Sequence, residues 1–255
     1  MIIPKLRSPI VLVHGLLGFD KIDALGTTLV NYFPGIPELL TAAGNRVLIP
    51  SLTPTGGIEE RAKQLKAFLE KNSPGEPVHV FAHSMGGLDS RYMISQLDMA
   101  GMVLTLTTIG TPHRGTSFAD WGVERFERIV KPLLDSIGMP YQAFYDLRRA
   151  SCKDFNEKIP NVPTVRYFSV AGQHDGHLLL PEWLLPYNIV KKAEGENDGI
   201  VSVASASWGE HADIWEGDHL RLVNWFHPIA HYRGLMKDPA PRYGALLRKL
   251  ADLGY

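Results

Sequence analysis

Short runs of apolar and β-branched residues recur along this chain, at 10–13, 46–49, 78–82, 103–109 and 164–170. Most of them carry apolar side chains at consecutive positions, as a strand does when both of its faces are buried. Between them lie segments of helical period: Ile58, Ala62, Leu65, Phe68 and Leu69 fall on one face, and Glu59, Lys63, Lys66 and Glu70 on the other. Doubly buried strands separated by helices of that length predict an α/β fold, with a mainly parallel central sheet flanked by helices. The 255 residues suit one such domain over 1–255, and no linker, repeat or low-complexity stretch divides them. Tyr243, Leu246, Leu247 and Leu250, after Pro241, predict a last amphipathic helix that closes one face of the sheet. Residues 118–161 break the rhythm. They hold no strand pattern but carry an apolar stripe at Phe126, Ile129, Val130, Leu133, Leu134 and Ile137, so a helical insertion is expected there, kinked or divided at Pro132.

Charge and cysteine content narrow the function. With 26 basic against 27 acidic residues there is no bulk attraction for nucleic acid or an anionic membrane, so the partner is expected to be small or uncharged. Cys152 is the only cysteine, which excludes an intrachain disulfide and leaves the fold to its core; it reads as a small buried side chain. The longest apolar runs, such as 178–180, are far shorter than the ~20 residues of a membrane span. Residues 1–9 are too short and polar for a secretory signal, so the chain reads as cytoplasmic as written, and as secreted if a leader was trimmed.

The sharpest local feature is VHVFAHSMGG at 78–87, an apolar strand running into a small-x-Ser-x-Gly turn and then a helix. A serine in such a turn has its hydroxyl pushed out of the fold beside a helix N-terminus, whose amides favour negative charge. This is the nucleophile elbow of an α/β-hydrolase, with Ser84 as nucleophile. Ala82 stands where the pattern has its first glycine, and alanine is the next smallest residue. Upstream, PIVLVHGLLGF at 9–19 ends a strand in His-Gly. Acyl transfer needs two preorganised donors for a tetrahedral oxyanion, and the backbone amides of Leu16 and Met85 are the expected pair. His14 lies on the wrong strand for a base and reads as structural. In this fold the acid and then the histidine follow the serine. Asp198, in a turn opening onto an apolar run, is the expected orienter, and His219 the expected base. Asp175, Asp213 and Asp218 compete for the first role, although Asp218 adjoins the histidine and successive side chains diverge. His227 and His231 compete for the second.

The chain resembles the bacterial true lipases, the triacylglycerol lipases of the α/β-hydrolase fold. The matching stretches are PIVLVHGLLGFDKI at 9–22, AHSMGGL at 82–88, IGTPHRGT at 109–116, a weaker DLRRASCKDFNEKIP at 146–160, GENDGIVSVASASWG at 195–209 and DHLRLVN at 218–224. The resemblance points to the same Ser84, Asp198 and His219, with Leu16 and Met85 at the oxyanion hole. It implies a mobile lid after the 109–116 stretch, over about 118–160, and a scaffold role for His113. Many of these lipases bind a structural calcium through an aspartate two residues after the histidine, where this chain has Arg221, so that site is not expected. The disulfide of secreted relatives cannot form with Cys152 alone, which suits an intracellular or less rigid relative, and the shorter lid argues against strong interfacial activation. His174, Asp175 and His177 form too small a set for zinc.

The expectation is therefore a serine carboxylic-ester hydrolase acting on medium- to long-chain acyl esters, with no cofactor and no metal. Leu17, Phe118, Trp121, Phe126 and Leu133 are expected to line an apolar acyl pocket. A small lipid or ester is the expected partner, with transient contact between the lid and a lipid interface. The rival readings are a short-chain carboxylesterase or phospholipase on the same triad, or a non-catalytic lipid binder.

Overall fold

The computed structural model describes residues 3–17, 21–24, 27–129, 141–176, 181–225 and 240–255. Its centre is a six-stranded, wholly parallel sheet made of β1 (Ile10–Val13), β4 (Val47–Leu48), β5 (Val78–His83), β6 (Val103–Ile109), β7 (Arg166–Gln173) and β8 (His211–Glu216). Their order across the sheet is β4-β1-β5-β6-β7-β8. All five expected strands are present, within a few residues at their ends. A separate antiparallel hairpin, β2 (Lys21–Ala24) and β3 (Thr27–Asn31), follows β1.

Side chains alternate across a strand, and here both sets find a core. Ile10 and Leu12 of β1 point into one cluster with Ile36 and Leu40 of α1 (Ile36–Ala42) and Leu246, Leu247 and Leu250 of α9 (Ala240–Asp252). Val11 and Val13 point into the other, with Ala62, Leu65 and Leu69 of α2 (Ile58–Asn72) and Met93 and Ile94 of α3 (Gly86–Gln96). This double burial is why the inner strands are apolar at consecutive positions. β8 is the exception: as an edge strand with His211, Ala212, Ile214 and Glu216 exposed, it has no apolar run and escapes a reading by periodicity.

Where an insertion is expected, the described residues hold three helices and no strand: α4 (Ser117–Ile129), α5 (Gln142–Asp146) and α6 (Arg149–Lys158). Pro132 and Leu133 lie outside the described residues, as do His177, His227 and His231. α7 (Pro181–Glu194) and the short α8 (Val203–Ala206) complete the path between β7 and β8. No helix among the described residues is long and apolar enough to cross a membrane.

Candidate active site

The carboxyl ends of β1, β5, β6, β7 and β8 open onto one crevice, the place where parallel α/β sheets bind ligands. Ser84 follows β5 directly. Its φ of 54° is left-handed, a strained setting for a serine. The turn is held from both sides: Ser84 N donates to the Ile109 carbonyl at 2.9 Å, and Thr111 Oγ1 donates to the Ser84 carbonyl at 2.7 Å.

Two chain-distant residues meet this serine. His219 Nε2 lies 2.9 Å from Ser84 Oγ, and His219 Nδ1 lies 2.7 Å from Asp198 Oδ2. The other Asp198 oxygen accepts the amides of Ile200 at 3.0 Å and Val201 at 2.8 Å, and His219 N donates to the Asp198 carbonyl at 2.8 Å. Carboxylate and imidazole are thus fixed to each other through side chain and backbone, and all three groups are buried. Gly172 of β7 makes room for the acid, since a Cβ there would stand 2.6 Å from Asp198 Cβ. The competing acids are used elsewhere: Asp213 pairs with His211 at 2.8 Å, Asp218 accepts the amides of Leu220 and Arg221, and Asp175 is exposed.

Gly15 brings the loop after β1 against the serine, where a Cβ would sit 2.6 Å from Ser84 Cβ. Beyond it the amides of Leu16 and Met85 have no acceptor among the described residues, whereas Leu17 N donates to the Pro54 carbonyl at 2.7 Å. The ring of His14 is spent on loop backbone: Nδ1 donates to the Gly15 carbonyl at 2.9 Å and Nε2 accepts the Leu52 amide at 3.0 Å.

Two buried polar networks support this arrangement, and neither was legible in the motifs. Gly15 N donates to Tyr32 Oη at 3.1 Å, Tyr32 Oη donates to His83 Nδ1 at 2.7 Å, and His83 Nε2 donates to the His219 carbonyl at 3.0 Å. Burial holds the His83 imidazolium far below its usual range and raises the Tyr32 phenol to about 12, so both stay neutral with these donors and acceptors set. In the second network Arg61 of α2 donates to Asp89 of α3, to the Thr53 carbonyl and to the His14 carbonyl, each at 2.8 Å. Burial raises the Asp89 carboxyl to about 7 against the opposing pull of Arg61. A tyrosine after an unread hairpin and an arginine on an amphipathic helix carry no sequence signal for these contacts.

His113 is buried below the site, with Nε2 2.9 Å from Thr108 Oγ1 and its ring stacked on Trp208. Cys152 is buried, and burial pushes its thiol up to about 12. Arg221 places Nε 3.0 Å from the Asp218 carboxylate. His174 Nδ1 accepts the Gly176 amide at 2.9 Å, and no cluster of three metal-ligating side chains occurs among the described residues.

Ser84 and His219 open into a cavity of about 660 Å³. Leu16, Leu17, Phe118 and Trp121 line it, together with Trp183 and Trp225, which the sequence did not point to. Phe126 lies on α4 with its side chain outside the described residues, and Leu133 is outside them altogether.

A parallel sheet with helices on both faces is the architecture of the α/β-hydrolases, and at its carboxyl edge a serine, a histidine and an aspartate lie in one hydrogen-bonded line. Residues 58–223 match the PGAP1-like alpha/beta domain family. Triacylglycerol lipase 2 of Saccharomyces cerevisiae is 33% identical over 269 residues, covering 86% of this chain and 81% of the yeast protein. A triacylglycerol lipase of Vibrio cholerae is 38% identical over 286 residues, covering 97% and 89%. Among solved structures, the mature form of a Bacillus licheniformis lipase superposes with a TM-score of 0.71 at 24% identity over 91% of this chain and 92% of that one, a likeness of fold. The chain belongs to the triacylglycerol lipase family of α/β-hydrolases, and is by that membership a carboxylic-ester hydrolase.

Proposed function

We propose that this protein hydrolyses medium- to long-chain acyl esters through an acyl-enzyme on Ser84. His219 Nε2 takes the hydroxyl proton as Ser84 Oγ attacks the ester carbonyl, and Asp198 keeps the ring in the tautomer with its proton on Nδ1 and stabilises the imidazolium. The amides of Leu16 and Met85 hold the tetrahedral oxyanion. His219 returns the proton to the departing alcohol, and water activated by the same ring releases the acid. The observation that carries this reading is the line from Ser84 Oγ through His219 to Asp198, with distances of 2.9 and 2.7 Å, at the base of an apolar cavity of about 660 Å³. A binding module has no need of an oriented imidazole against a strained serine.

On this reading the whole chain is one domain, with strands from both halves in a single sheet and α9 completing its core. The described residues of the 118–160 stretch, 118–129 and 141–160, then form a cap, whose Phe118 and Trp121 contact the acyl chain with Leu17 and which meets the lipid interface. The test is hydrolysis of p-nitrophenyl esters from about four to sixteen carbons beside the Ser84→Ala variant. The rate should peak at medium or long chains and fall by at least 10³-fold in the variant, as loss of a triad nucleophile does. A rate confined to the shortest chains would make the protein a short-chain esterase, and a variant retaining a few per cent of the rate would exclude Ser84 as nucleophile.

A further inference from the structure

The cavity has mostly apolar walls with a few polar side chains, and among the described residues it meets one permanent cation. Ser84, His219, Thr116 and Tyr32 contribute polar side chains to the lining, and among the described residues the only Lys or Arg side chain in it belongs to Arg125. Phe118, Trp121, Gly122 and Arg125 of α4 all line the cavity, at the three- and four-residue spacing of one helix face. At 1.5 Å per residue Arg125 stands about 10 Å along the axis from Phe118. Its guanidinium carbon lies 4.2 Å from the centroid of the Trp121 ring. Stacking of that kind holds the plane of the group on an apolar surface while its edge N–H donors remain available.

Nothing neutralises this cation among the described residues: Arg125 is exposed and makes no hydrogen bond or ion pair there. Two acids whose side chains are described on α4 and the adjoining α7 are committed. Asp120 binds Arg149 at 2.5 Å, and Glu194 accepts Ser117 N at 2.6 Å and Ser202 Oγ at 2.7 Å. An apolar wall beside the guanidinium thins the competing water and strengthens any anion that reaches it.

We propose that Arg125 forms an anion subsite at the outer end of the cavity, selecting amphiphilic esters that carry a carboxylate or phosphate beyond the apolar part of the molecule. As a statement about substrates it rests on the ester-hydrolase reading above; as a binding site it does not. The anion can belong to the acyl side, as in the half-ester of a dicarboxylic acid, or to the alcohol side, as in a phosphate-bearing glyceride.

The test compares kcat/KM for matched pairs: mono-p-nitrophenyl suberate against p-nitrophenyl octanoate for the acyl side, and dioctanoyl phosphatidate against dioctanoylglycerol for the alcohol side. In Arg125→Gln the anionic-to-neutral ratio should fall about tenfold in one pair, the effect of one lost charge-assisted hydrogen bond. Arg125→Lys should recover part of it, and added salt should lower the wild-type ratio. The pair that responds identifies the side of the ester that carries the anion. Ratios within twofold of wild type in both pairs overturn the subsite. Should the wild-type protein hydrolyse none of the four, the ester-hydrolase reading fails by itself. Calorimetric binding of octyl phosphate and octanol to the wild-type and Arg125→Gln proteins then decides the subsite: a selective loss of octyl phosphate supports it and equal affinities refute it.

Discussion

At Ser84 three constraints meet on one residue: a left-handed φ of 54°, a backbone tied to Ile109 and Thr111, and Gly15 pressed against its side chain. Glycine is required at 15 because of that approach, since a methyl group would lie 2.6 Å from Ser84 Cβ and 3.0 Å from Tyr32 Oη. Gly15→Ala should therefore leave a folded protein, at a cost of about 1–3 kcal/mol of overpacking. Its kcat should drop by about 10²-fold, because serine and oxyanion donors are pushed out of register. A kcat within threefold of wild type, in steady-state assays with denaturation run alongside, would show that the loop has slack. The small residues at 82, 86 and 87 and the serine between them are legible because the turn tolerates few alternatives. Tyr32 is not: its hydroxyl matters only because the fold sets it between Gly15 N and His83.

Among the elements, α2 and α3 are fastened by a fully buried ion pair that reaches the loop after β1. Arg61 and Asp89 both have side chains with no exposure, and the same guanidinium holds the carbonyls of Thr53 and His14. Removing one partner strands the other in the core. Arg61→Met should thus destabilise the protein by about 3–5 kcal/mol, and Arg61→Met with Asp89→Leu by distinctly less, since replacing a whole buried pair is often close to neutral. Urea denaturation of the two variants checks this, and equal losses would mean that the carbonyl contacts, not the pair, carry the effect. Periodicity finds α2 because it has one apolar face, whereas α3, buried on nearly every side, is found through the elbow pattern that precedes it. It misses β8, whose exposed edge position frees it from any pattern, and α7, which carries Pro186 inside the helix.

For the molecule as a whole, three buried neutral histidines make stability depend on acid. Burial lowers His79 to about 4 and holds His83 and His113 well below 6.5, with Arg91 and Arg114 also opposing a charge on His113. Below pH 6.5 the unfolded chain takes up protons at these three positions and the folded one does not, so they withdraw stability as pH falls; Asp89, raised to about 7, takes up one proton in the folded state over the same range and offsets one of the three. Each histidine contributes about 1.4 kcal/mol per pH unit once well below 6.5. Thermal unfolding followed from pH 7.5 to 5 should show a plateau and then a decline, made shallower by about one proton in His79→Gln. A stability constant across that range would contradict the neutral assignments.

The chain's own order of residues determined the layered α/β architecture, the elbow at Ser84 and the candidates Asp198 and His219, because each is written in local chemistry: consecutive apolar positions, a tight turn of small residues, an acid and a histidine in loops. Several decisions belonged to the tertiary structure alone. It set which acid faces His219, with Asp218 turned onto its own loop and Asp198 drawn in beside Gly172. It also threaded Tyr32 and His83 between the loop after β1 and the His219 backbone, and turned Arg125 toward the cavity. These are contacts between residues tens to more than a hundred positions apart, and no local preference of the chain encodes a distance that only the closed sheet creates.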